Sequence, residues 1–215
     1  GFRLGLVRVR AFMGFLGGPE RSYPGIHVAG TNGKGGVCVM VSQDLVEAGY
    51  RVGTNLSPHL EDVNERVRID MVPLDDGSLT EAIESHDRFR RDWSESNDLE
   101  GPGLTYFEFI TTMAMVVFAQ RAVDVAVFEV GLGGRLDATN IVDSQVTAIT
   151  SIEMDQMDKL GEKIAEIAGE KAGILKPGIP MVIGLLPAEA RPPILERAKR
   201  MGCPVWRPGK ELFKG

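Results

Sequence analysis

Short apolar runs rich in β-branched residues alternate along this chain with longer segments of helical period. Such alternation predicts an α/β fold, a mostly parallel, doubly wound sheet with helices on both faces. Strand runs fall at 26–29, 51–54, 67–71, 123–130, 146–151, 181–184 and 204–206. The run at 123–130 is almost continuously hydrophobic, as strands buried in parallel sheets are, yet Glu129 stands near its end. Helical stripes cover 37–48, 78–91, 105–120, 163–172 and 188–201. In the first of these Val37, Met40, Val41, Leu45 and Ala48 are expected on one buried face, with Gly49 as C-cap. The stretch 2–16 is interrupted by Arg3, Arg8 and Arg10, so it reads as a helix rather than a signal peptide. A polar loop at 55–66 contains Ser57 and Pro58, and the Ser, Asn, Gly and Pro content of 93–103 marks an exposed connection.

Where the first strand meets the first helix the chain reads Gly30, Thr31, Asn32, Gly33, Lys34, Gly35, Gly36. Glycines between a strand and a helix let the backbone curl around an anion, the first helical amides point at it, and a lysine adds positive charge. We read these residues as a nucleotide phosphate loop. The alternative is a glycine-rich turn with an exposed lysine, which the preceding strand and following amphipathic helix disfavour. Only Thr31 and Asn32 separate Gly30 from Gly33, a shorter gap than in the P-loop motif GxxxxGK[ST].

Charge narrows the class of ligand. The 215 residues carry 24 Lys and Arg against 30 Asp and Glu, a net charge of -6 that disfavours nucleic acid and anionic membrane as partners. No apolar run approaches the ~20 residues that cross a bilayer. Cys38 and Cys203 are too sparse for a disulfide scaffold or zinc site and read as buried thiols.

The loop, taken with four further segments in order, resembles the folate branch of the Mur ligase superfamily, the folylpolyglutamate synthase/dihydrofolate synthase family. Those segments are Ser57-Pro58-His59-Leu60 with Glu65-Arg66-Val67-Arg68; Thr105-Tyr106-Phe107-Glu108; the run from Glu129 through Gly131, Gly133, Gly134, Arg135, Leu136 and Asp137 to Asn140; and Glu170-Lys171-Ala172-Gly173-Ile174. The family loop ends in Ser or Thr where this chain has Gly36. The resemblance implies a P-loop NTPase-like fold, that of the Mur ligase central domain, with ATP and Mg²⁺ as cofactors. Gly30, Thr31, Asn32, Gly33, Lys34, Gly35 and Gly36 would bind ATP, and Ser57 and Glu129 would hold the metal. A family histidine at a second magnesium site is here Gln156, an uncharged and weaker ligand. Lys34 and Lys171 carry catalytic roles by the resemblance, Lys171 matching a lysine the family converts to a carbamate. Read alone, Lys171 is a surface partner for Glu166 or Glu170. Thr105, Tyr106, Phe107, Glu108 and Leu136 match positions lining the family's pterin pocket, although an apolar helix also buries aromatics in its core.

The implied reaction is ATP-dependent ligation of L-glutamate to a folate or dihydropteroate carboxylate through an acyl phosphate, in a cytoplasmic monomer. Family members are roughly twice as long and carry two domains. We therefore expect residues 1–215 to be one ATP-binding domain, incomplete at both ends and lacking the glutamate-binding domain, and inactive alone. Gly36 and Gln156 sustain an alternative, a nucleotide-binding homologue without ligase activity. A Mur-type ligase of UDP-muramyl substrates fits less well, because the loop and the Thr105 segment follow the folate branch.

Overall fold

A computed structural model describes residues 5–96, 103–154 and 163–207. Helix α1 (Val7–Phe15) precedes strand β1 (Gly25–Ala29), helix α2 (Lys34–Glu47) and strand β2 (Val52–Asn55). A hairpin of β3 (Val67–Ile69) and β4 (Val72–Pro73) follows, then helices α3 (Asp76–Ser96) and α4 (Tyr106–Gln120). Strand β5 (Val125–Glu129), strand β6 (Ser144–Ile149), helix α5 (Ile164–Lys171), strand β7 (Met181–Ile183), helix α6 (Arg191–Met201) and strand β8 (Val205–Trp206) complete it. One sheet runs in the order β4-β3-β2-β5-β1-β6-β7-β8. Pairing is parallel from β2 to β8 and antiparallel only in the β2-β3-β4 edge.

Register explains how the two faces are filled. Ile26 pairs with Val127 and His27 with Phe128, so alternate residues on β1 and β5 turn to opposite sides. Val28, Val52 and Val127 pack with Cys38, Val41 and Leu45 of α2 on one face. On the other, Phe128 packs with Phe118 of α4, and farther along Ile149 and Met181 pack with Ile167 of α5 and Ile194 of α6. The predicted double winding is therefore present, with α2 on one side and α4, α5 and α6 on the other. Gly53 has no side chain because the Phe118 ring lies 2.7 Å from where its Cβ would sit.

Four sequence expectations are corrected. The run 67–71 is not one strand: Asp70 and Met71 adopt φ of 50° and 67° and form a tight turn between β3 and β4. Positive φ at both central residues suits a hairpin, but the usual Asn-Gly or Asp-Gly signal is missing. Met40 (61% exposed) and Ala48 lie outside the buried face of α2, which instead sinks Cys38 and Ser42. Ser42 is accommodated by the hydroxyl of Thr54, which donates to its Oγ at 2.8 Å. Trp93, placed by composition in an exposed connection, is buried within α3 against Phe12 at 5.2 Å between ring centroids. The segment 188–201 opens as a 3-10 turn, Ala188–Ala190, and Pro192 sits in the first turn of the α-helix that follows, where its missing N–H costs nothing.

Candidate functional site

Parallel sheets bind ligands outside the carboxyl ends of strands where the strand order reverses. Here β2, β5, β1 and β6 are neighbours; Glu129 ends β5, and the loops leaving β2, β1 and β6 carry Ser57, the glycine loop and Thr150 with Ser151.

The glycine loop is held from the side by β6. Thr31 N donates to Ser151 O at 2.8 Å, Asn32 N to Ser151 Oγ at 2.9 Å, and Thr150 Oγ1 to Asn32 O at 2.6 Å. This approach demands glycine at 30, since a Cβ there would collide with Thr150 Oγ1. Gly33 caps α2 in the left-handed conformation at φ 78°. The first amides of α2 therefore face the loop, and Lys34 Nζ donates to Thr31 O at 3.0 Å. Gly36 is exposed with nothing within 4 Å of a hypothetical Cβ.

Glu129 is buried, and its Oε2 accepts from Ser57 N at 2.9 Å. Burial raises its pKa, opposed by the Ser57 amide, Lys34, the Gly35 amide and Arg66. Gly35 leaves room for that carboxylate, which would sit 3.4 Å from a Cβ. Ser57 Oγ is buried with no hydrogen-bond partner among the described residues. A carboxylate beside an orphaned hydroxyl is a donor set that fits Mg²⁺, which takes few protein oxygens and completes its shell with phosphates and water. Consistent with so sparse a set, no group of three or more His, Cys, Asp or Glu suited to a metal occurs among the described residues. Gln156 lies outside the described residues.

Lys171 is not a solvated surface lysine. It is 4% exposed, and its Nζ donates to the carbonyl of Gly30 at 2.8 Å, behind the glycine loop. Glu170 instead binds Arg135 at 3.0 Å. The end of α5 approaches the loop after β5 so closely that a Cβ on Gly173 would strike the backbone of Arg135. Asn140 ties the two together, donating to Arg135 O at 3.0 Å and Gly173 O at 3.1 Å while accepting from Lys176 Nζ at 2.8 Å. Burial lowers the Lys176 pKa to about 8, helped by Arg10.

Below this loop sits a buried chain that the motifs did not announce. Asp137 accepts from Leu132 N at 2.8 Å and from Thr139 Oγ1 at 2.5 Å, and Thr139 Oγ1 meets His27 Nε2 at 2.7 Å. Since the Thr139 proton is committed to Asp137, His27 donates through Nε2 and is neutral. Burial lowers its pKa to about 3, with Lys176 adding to the effect.

The five residues matched to a pterin pocket divide. Thr105 and Glu108 form a reciprocal capping box at the start of α4, and Glu108 also pairs with Arg8 at 2.8 Å. Thr-x-x-Glu before an apolar helix was the signal for this. Tyr106 is 60% exposed beneath the Arg66 guanidinium, whereas Phe107 packs on Gly131, in the loop that also carries the half-buried Leu136.

An anion-ready loop at the switch point of a mostly parallel sheet defines a P-loop NTPase-like α/β domain of the Mur ligase fold. No family model matches the chain. Curated relatives do: dihydrofolate synthase/folylpolyglutamate synthase of Bacillus subtilis is 42% identical over 205 residues, 95% of this chain and 47% of the relative. The Escherichia coli protein of the same name is 40% identical over 208 residues, 97% of this chain and 47% of the relative. Among solved structures, Mycobacterium tuberculosis folylpolyglutamate synthase complexed with ADP superposes with a TM-score of 0.90 at 39% identity, covering 96% of this chain and 47% of that one. An FPGS–AMPPCP complex gives 0.91 at 36% identity, covering 96% and 50%. The chain belongs to the folylpolyglutamate synthase/dihydrofolate synthase family, and it spans about half the length of these relatives.

Proposed function

We propose that this chain is the ATP-binding part of a ligase that joins L-glutamate to a folate or dihydropteroate carboxylate. The observation that carries the reading is the Glu129 carboxylate beside the orphaned Ser57 hydroxyl, one strand from the phosphate loop. Relatives solved with AMPPCP, ADP and folate support the same choice of ligands. Ser57 and Glu129 would hold Mg²⁺, which when bound offsets the charge of the nucleotide phosphates. The loop amides and Lys34 bind and orient the transferred phosphoryl group, so the chain contributes positioning and charge neutralisation rather than a covalent nucleophile. Phosphorylation of the acceptor carboxylate makes an acyl phosphate, which the glutamate amine attacks to give an amide, ADP and phosphate. Lys171 holds the Gly30 carbonyl from behind and fixes the loop's position.

Gly36 favours a second reading, a homologue that binds nucleotide without ligating, since no hydroxyl follows the loop lysine at that position. One experiment separates the two. The complete polypeptide carrying this chain, given ATP, Mg²⁺, labelled glutamate and tetrahydrofolate or dihydropteroate, should form a glutamylated product with equimolar phosphate. Phosphate release at background with every acceptor would leave only the second reading.

A further inference from the structure

Arg66 neither belongs to the glycine loop nor lies beside Glu129 as Ser57 does, yet the fold places it next to the segment that carries Ser57. Its carbonyl accepts from Asn55 Nδ2 at 2.9 Å and from Leu56 N at 3.2 Å, which pins it beside the loop presenting Ser57. Its Nε donates to His59 Nδ1 at 2.8 Å, and its Cζ stands 5.7 Å from the centroid of the Tyr106 ring. These contacts fix the plane of the guanidinium through one nitrogen and one face. Both terminal nitrogens lack a hydrogen-bond partner among the described residues.

A planar fork held this way matches a carboxylate bidentately, a geometry that a point-charge lysine does not reproduce. The phosphates already have the loop amides and Lys34. Beside Arg66 there is instead the exposed ring of Tyr106, a surface for a flat aromatic group. We infer that Arg66 is a substrate-binding residue that receives the carboxylate of an aryl-carboxylate acceptor and holds it toward the phosphate site, with His59 and Tyr106 orienting the guanidinium. This rests on the acceptor chemistry proposed above and adds the residue that recognises the acid.

The test uses the complete polypeptide in the presence of AMPPCP and compares binding of dihydropteroate with its carboxamide. Wild type should prefer the carboxylate by at least about tenfold, ~1.4 kcal/mol. Arg66→Ala and Arg66→Gln should bind both compounds with the wild-type carboxamide affinity, and Arg66→Lys should recover only part of the preference. AMPPCP affinity in all variants should stay within about twofold of wild type. Retained carboxylate preference in Arg66→Gln overturns the inference. So does a parallel loss of AMPPCP affinity, which would put Arg66 on the nucleotide. Carboxamide binding reports that a variant is folded. The ligation assay is read separately: a wild type that binds with carboxylate preference but never ligates would sink the proposed reaction and leave the role of Arg66 standing.

Discussion

Replacing Glu129 by Gln should move stability and nucleotide binding in opposite directions. The carboxylate is buried and its pKa is raised chiefly by that burial, so its charge is a liability to the fold without a cation. Gln keeps the shape and an oxygen to accept from Ser57 N, now at 2.9 Å from Oε2, while removing the charge. Stability without divalent cation should therefore stay within about 1 kcal/mol of wild type or rise. A carboxylate kept for the strength its charge gives that hydrogen bond would instead lose stability on becoming the neutral acceptor of Gln, toward the ~1.5–3 kcal/mol of a bond to a charged group. Binding should show the reverse. Losing the charged ligand should weaken Mg²⁺-dependent AMPPCP binding by about tenfold or more, ~1.4 kcal/mol. Urea unfolding in EDTA and calorimetric titration of AMPPCP with and without Mg²⁺ measure both quantities. A variant destabilised by more than about 2 kcal/mol, with its Mg²⁺ response intact, would refute the reasoning and make Glu129 structural.

Acid should weaken the fold through two buried imidazoles. His86 is buried in α3 with its Nε2 2.9 Å from Thr112 Oγ1. The folded pKa of His27, about 3, and of His86, about 4, both lie below the unfolded value near 6.5, with burial the main cause. Both contributions are complete above about pH 6.5 and shrink as pH falls toward the folded values. At pH 5 each should have lost about 2 kcal/mol, so urea midpoints equal at pH 7.5 and 5 would contradict the burial argument. Gly173→Ala must displace the Arg135 backbone and should cost about 1–3 kcal/mol, measured by urea unfolding, and lower AMPPCP affinity by shifting Lys171 from Gly30. Gly36→Ser meets no neighbour, so it should add about 0.5 kcal/mol of helix stability and tighten Mg²⁺-dependent AMPPCP binding. Unchanged affinity in that titration would show that the missing hydroxyl is irrelevant.

The glycine loop was legible because it needs only a local pattern, a buried run and then glycines and a lysine. Glu129 alone looks like a solvated acid at a strand end, and its burial beside Ser57 N emerges only in the fold. Ser57 was not legible from its neighbours, since a serine before proline looks like turn chemistry; its orphaned hydroxyl emerges only when β2 and β5 lie side by side. The burial of Lys171 was hidden for a similar reason, as its acceptor, Gly30, is far away in sequence. Asp70 and Met71 reversed the chain without a turn signature, and Trp93 was drawn into a loop by its polar neighbours although Phe12 buries it. The Asp137–Thr139 link is a local cap, but His27 reaches it from β1, far away in sequence, so no spacing rule betrays the whole chain.

The most direct test of the proposed chemistry follows oxygen. Dihydropteroate or tetrahydrofolate carrying ¹⁸O in the reacting carboxylate is turned over by the complete polypeptide with ATP, Mg²⁺ and glutamate, and the released phosphate is analysed by mass spectrometry. An acyl phosphate transfers one labelled oxygen to each phosphate released with product. Amide formation accompanied by unlabelled phosphate would contradict that route.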